Sequence, residues 1–192
     1  TFKGRYSPKN AGGYQGLCTV RKAIEVSSNI VNIKIAYNVG INKAIEYLHE
    51  FGLTTYTEED DAVMSLAIGG AHHGSSTLQM AAAYATLANK GVYIEPTFYT
   101  KLTDSDGKTI LEPKQETRRV ISEANAYIIS DILTDVVTGY SGTAGACAIS
   151  GMDVACKTGT TDNDTNVWLC GYTPYYAGAT WYGFDQGEIE LY

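Results

Sequence analysis

The sequence predicts an α+β fold, an antiparallel sheet flanked by helices. Three observations lead there. Apolar residues recur at helical spacing through residues 19–37, 80–89 and 122–137. Three runs of strand character then crowd into residues 154–184. Only residues 161–165 and 173–175 separate those runs, too few for the crossover that parallel neighbours need, so the strands must be antiparallel.

Taken in order, residues 1–18 are rich in Gly, Pro, Asn and Tyr and read as an irregular lead-in. The stretch 19–37 is helical, with Val20, Ala23, Ile24, Ile30, Val31 and Ile33 inward and Cys18 or Thr19 as its cap. The polar patch Ser27-Ser28-Asn29 interrupts it. A second helix over 41–51 turns Ala44, Ile45 and Leu48 inward and stops at Gly52. Residues 54–61 form an acidic surface loop. Ser76 and Gln79 make a capping box. The alanine-rich helix it opens is thin enough for neighbours to approach closely, and it stops at Gly91. Between 93 and 120 the period shifts toward two, with a hairpin of residues 99–103 and 109–111 about the turn 104–107. Ser122 caps a long helix with Ala126, Ile129, Leu133 and Val136 on one stripe. Strands follow at 154–160, 166–172 and 176–184.

Composition narrows the function. The 192 residues are 44% apolar and 18% charged, enough for a buried core in one domain or part of one. A net charge of −7 and a pI near 4.9 argue against a nucleic-acid partner, which requires a basic face. No apolar run approaches the roughly 20 residues of a membrane helix. The chain opens on Thr1 with no leader, so it is expected to begin inside a longer protein. Cys18, Cys147, Cys156 and Cys170 have no C-x-x-C spacing, and are expected to be free, buried or half-buried thiols, with bridges between them the alternative in an oxidising compartment. The histidines, with His72 and His73 adjacent, do not suggest a metal site, and no cofactor is implied.

Two short segments carry chemistry. Lys157-Thr158-Gly159-Thr160-Thr161 places a lysine, a glycine and three hydroxyls on a strand. Glycine there weakens packing and marks a place where another backbone approaches. An edge strand of this kind can accept an extended peptide, though a lysine also guards an ordinary edge. A phosphate loop is excluded, because Cys156 stands where its second glycine belongs and no helix start follows. In the second segment, Ser27 and Asn29 cannot face the same way on a continuous helix, so acting together requires a break there. A plain helix junction with caps would look the same.

The setting of these segments is distinctive. Tyr6-Ser-Pro-Lys-Asn10, Tyr14-x-Gly16, Thr19-x-Arg21-x-Ala23 and Ser27-x-Asn29-Ile30 come first. Ile68-Gly-Gly70, Leu78-Gln-Met-Ala81 with Tyr84, Asn89 and Gly91, and Pro96 follow. Gly142-Thr143, Lys157-Thr-Gly-Thr-Thr161, Trp168-x-x-Gly-Tyr-Thr-Pro174 and Trp181-x-Gly-Phe-Asp185 close the series. Together they closely resemble the transpeptidase domain of penicillin-binding proteins, most like the bifunctional class A kind, over nearly the whole chain.

The resemblance implies acyl transfer from D-Ala-D-Ala stem peptides of peptidoglycan through an acyl-serine, with β-lactams as mimics of the dipeptide. By match, Ser27 relays protons to the leaving group, Asn29 holds the substrate amide, and Lys157 supports Ser27 and attracts the substrate carboxylate. Thr158 and Thr160 bond that carboxylate, and the Thr160 N–H is half of the oxyanion hole. Gly159 and Thr161 complete the substrate-binding strand. Residues 1–192 are then the C-terminal portion of a single domain, 1–140 mainly helical apart from a hairpin near 98–112, and 150–185 antiparallel strands. The family's S-x-x-K nucleophile is expected upstream of Thr1, on a preceding segment or a separate nicked chain, since the literal match Ser105-Asp-Gly-Lys108 sits on a turn. The fragment alone is expected to be inactive. The implied location is the extracytoplasmic face of the bacterial cell membrane, anchored by an N-terminal segment outside this chain. Alternatives are a non-catalytic scaffold of the same fold, a β-lactamase or D,D-carboxypeptidase, and a wall-binding module without chemistry.

Overall fold

The structure, a computed structural model, describes residues 8–57, 64–71, 73–161, 163–185 and 189–191. Thr19 starts the first helix, α1 (Val20–Glu25), by accepting from the Lys22 N–H at 3.2 Å. The expected break follows, and α2 (Asn29–Val39) resumes beyond it. Val20, expected inward, is 48% exposed, because Ala23 and Glu25 take the buried side of so short a helix. α3 (Ile41–Glu50) ends just before Gly52, and a 3-10 turn (Met64–Ile68) packs on α2. Residues 58–61 of the expected acidic loop lie outside the described residues.

Ser76 and Gln79 form the reciprocal cap of α4 (Thr77–Ala88). Ser122 caps α5 (Glu123–Thr138) by accepting from the Asn125 N–H at 3.1 Å.

The strands β1 (Val92–Ile94) and β4 (Thr117–Arg119) pair antiparallel around the smaller hairpin of β2 (Leu102–Thr103) and β3 (Thr109–Leu111). The inner hairpin is the expected one, shorter by several residues. The outer pair was not legible, because its strands are three residues each and far apart in sequence.

The main sheet runs β5 (Ala155–Thr160), β6 (Asn166–Tyr172), β7 (Ala177–Gly183) in that order, all antiparallel. α4 and α5 cover one face. Leu133, Val136 and Val137 of α5 join Ala155, Cys156 and Tyr172 in one buried cluster that draws on both faces of β5. The Tyr172 hydroxyl meets Ser130 Oγ at 2.7 Å, and its ring packs edge-on against Tyr84 of α4. Ala82 and Ala83 are buried, as a thin helix approached by the sheet requires. The other face is more open, with Leu169 and Tyr182 exposed. Among the described residues β5 is an edge strand, and it carries the lysine.

Candidate active site

The break between α1 and α2 has a specific geometry. Ser27 has φ +54°, the left-handed conformation usually taken by glycine at the end of a helix. The Ser28 N–H donates to the Ala23 carbonyl at 2.7 Å and the Ser27 N–H to that of Ile24 at 3.1 Å. This is the paired bonding of a Schellman cap with a serine in the glycine position. Strain of this kind persists where the surroundings over-determine it, and it clusters at functional sites.

The reason for a side chain there lies on β5. Lys157 Nζ donates to Ser27 Oγ at 2.9 Å, joining groups 130 positions apart, and to the Thr158 carbonyl at 2.8 Å. Burial lowers the Lys157 pKa below its ordinary 10.5, which raises the neutral fraction of the amine. The Thr161 N–H bonds to the Asn166 carbonyl inside the ladder. Antiparallel alternation therefore turns the backbone groups of Thr158 and Thr160 to the open edge. The Thr158 carbonyl on that edge is the one Lys157 reaches.

Three further groups hold this arrangement. Asn10 Oδ1 accepts from the Ile30 N–H at 3.1 Å and from Ser28 Oγ at 3.4 Å, and so caps α2 from a distance. Asn29 Nδ2 donates to the Lys9 carbonyl at 2.9 Å. Glu25, 8% exposed, accepts from Lys22 Nζ at 2.8 Å and from the Ser141 N–H at 3.0 Å. That pins the loop after α5, whose Thr143 hydroxyl meets the Thr158 hydroxyl at 2.7 Å. The Lys22 ammonium first, then the Ser141 N–H, hold the Glu25 carboxyl below its ordinary 4.5. Arg21 bonds Asp131 and Asp135, tying α1 to α5.

Ser27, Lys157, Thr158 and Gly159 thus share one locality, with Asn29 one helical step away. Thr160 lies exposed at the end of β5. Thr161 stands apart: its hydroxyl accepts from the Thr165 and Asn166 N–H groups and is spent on the β5–β6 turn. Ser105 and Lys108 are exposed on the hairpin tip.

The sequence matches the family described as penicillin binding protein transpeptidase domain over residues 2–184. The chain belongs to that family. It is 40% identical over 184 residues to penicillin-binding protein 1A of Clostridium botulinum, covering 95% of this chain and 22% of that protein. It is 35% identical to penicillin-binding protein 1F of Bacillus subtilis, covering 98% of this chain and 26% of that protein. The chain therefore spans about a quarter or less of these relatives. Among solved structures, penicillin-binding protein 1A of Haemophilus influenzae superposes with a TM-score of 0.78 at 26% identity, over 94% of this chain and 32% of that one. The penicillin-binding protein PonA1 of Mycobacterium tuberculosis reaches 0.81 at 23% identity over 96% of this chain and 52% of that one, a likeness of fold. The molecule is thus part of a penicillin-binding transpeptidase domain of the kind found in penicillin-binding protein 1A.

For this transpeptidase domain, sequence reasoning assigned no role to Asn10, Glu25 or Thr143. Asn10 and Thr143 lie within the motifs that carry the family resemblance. Glu25 had no local signal, since its use depends on a loop 116 positions away.

Proposed function

We propose that the chain forms one wall of a D,D-transpeptidase site acting on D-Ala-D-Ala stem peptides of peptidoglycan, with the acylated serine outside these 192 residues. The observation that carries this reading is the bond from Lys157 to Ser27 across the β5 edge. With its pKa lowered by burial, Lys157 can take a proton from Ser27 and return it. Ser27 passes that proton to the departing D-Ala amine. Asn29 has its Nδ2 committed to Lys9, so its Oδ1 is the atom for a substrate N–H. The peptide lies along the open edge of β5 as an added strand. There the Thr160 N–H supports the developing oxyanion. The Thr158 and Thr160 hydroxyls receive the terminal carboxylate. Thr143 orients the first of them.

At Gly159, an added Cβ would meet only Trp168 Cβ, at 3.5 Å. Folding alone does not demand glycine there, whereas a close-lying substrate would. Thr161 acts by holding the turn. The parent protein works at the extracytoplasmic membrane face, held by a segment outside this chain, and is a β-lactam target.

The test is intact-mass and peptide mapping of the full-length protein after incubation with a labelled penicillin. The expected adduct lies on a serine outside residues 1–192, and this chain alone takes up none. A specific adduct within the chain would mean that the nucleophile was misplaced. A full-length protein that never acylates would leave a scaffold, and rapid deacylation by water would point to a β-lactamase or carboxypeptidase.

A further inference from the structure

The proposed chemistry leaves one cluster of nucleophilic side chains unused. Cys156 immediately precedes Lys157, so its side chain lies on the opposite face of β5. It is 2% exposed and packs in the core with Cys147, which sits half-buried on the 3-10 turn Gly145–Cys147. Cys147 packs against the buried cluster that holds Cys156, near enough to help raise that thiol's pKa. The intervening chain doubles back to bring them there: the Met152 N–H donates to the Ile149 carbonyl at 3.2 Å, and those residues form an antiparallel bridge.

The sheet is shaped around this side chain. A Cβ on Gly171, opposite Cys156 in the register, would lie 2.5 Å from Cys156 Cβ. Cys170 is buried too, but it sits opposite Lys157 and faces the other side of the sheet. The geometry therefore selects Cys147 as the partner of Cys156.

We propose that Cys147 and Cys156 are a dithiol redox site that closes to a disulfide by exchange with a low-molecular-weight disulfide. The Cys147 thiolate is the accessible one and attacks first. One reagent sulfur joins it as the reagent S–S bond breaks, and the other leaves as a thiolate that takes a proton. Burial pushes the Cys156 thiol up to about 11, which suits it to the second step and not the first. After losing its proton, Cys156 attacks the Cys147 sulfur of the mixed disulfide and expels the remaining reagent thiolate. Two protein thiols and one reagent disulfide become one protein disulfide and two reagent thiols. The cross-link joins the turn just beyond Thr143 to the residue just before Lys157. It thereby braces the rim on which the Thr143 and Thr158 hydroxyls meet. Its influence on acylation rests on the function proposed above, whereas the bond itself does not. Disulfides of this kind persist outside the reducing cytosol.

The test uses the folded full-length protein and oxidised glutathione, followed by acid quench, alkylation and peptide mapping. The Cys147 and Cys156 peptides should emerge joined, two hydrogens lighter and free of glutathione, with Cys170 still alkylatable. Cys147→Ser should abolish the link and leave Cys156 reduced, while Cys156→Ala should leave a glutathione trapped on Cys147. The oxidised protein should melt several degrees higher than the reduced one. Free thiols at both positions after oxidation, or a bridge that recruits Cys170 or Cys18, would overturn the proposal. So would a bridge that lowers the melting midpoint, because the resting geometry would not accommodate it. Since Cys147 is only half-buried, its serine variant carries the test even if Cys156→Ala folds poorly. None of these readouts needs penicillin labelling, so a failed bridge and a failed transpeptidase reading are distinguishable.

Discussion

Two segments of this chain set a lysine beside a glycine and hydroxyl side chains: residues 105–108 on the β2–β3 tip and residues 157–160 on β5. The first contains the only literal S-x-x-K in the sequence. Its turn is tied by bonds spanning four positions or fewer, with Asp104 accepting from the Asp106 and Lys108 N–H groups. The second reaches 130 positions back to Ser27, and 15 positions to Thr143. A short motif has chemical meaning when distant parts of the fold desolvate it and aim it. A wet turn supplies neither.

The largest test of this contrast is the pair Lys157→Ala and Lys108→Ala in the full-length protein. The first should slow acylation by a fluorescent penicillin by about 100- to 10,000-fold, and the second should leave it unchanged. Equal losses would erase the distinction.

Next in size is Glu25→Ala. It removes the buried carboxylate that accepts from the Ser141 N–H and from Lys22, and a denaturant series should show a loss of about 1–3 kcal/mol. The folded carboxyl lies below its ordinary 4.5, so Glu25 contributes fully above that pH and loses its contribution as pH falls through the lowered value. Stability curves of wild type and Glu25→Gln should accordingly converge on acidification, and parallel curves would show that the carboxylate is not the source.

A finer probe compares Ser27→Gly with Ser27→Ala. Both remove the hydroxyl from Lys157, but only glycine relaxes the positive φ, so it should be the more stable by about 1 kcal/mol in thermal or denaturant unfolding. Equal stability would mean that the left-handed conformation carries no strain. The smallest effect is expected from Ser105→Ala, within about 0.5 kcal/mol of wild type in the same assay.

Much of the fold was legible because it is locally encoded. Thr19, Ser76 and Ser122 announce their helices through bonds three residues long. The antiparallel sheet followed from the length of its connectors. The break at Ser27-Ser28-Asn29 was legible as a need, since side chains two apart cannot cooperate on one helix. What was not legible has a common cause. Asn10 capping α2, Glu25 holding the loop after α5, and β1 pairing with β4 all join residues distant in sequence, without local periodicity to betray them.

By itself, then, the sequence determined the main helices and the three strands of the main sheet, where the first helical stretch must break, and which lysine strand resembles a family's substrate edge. Those features depend on neighbours within a few positions, where periodicity, caps and connector length act directly. Only the tertiary structure decided that a serine takes a glycine's conformation to meet Lys157, that Thr161 serves a turn, and that Cys147 lies against Cys156. Each of these depends on packing between distant segments, because burial and hydrogen-bond geometry exist only once the chain has closed on itself.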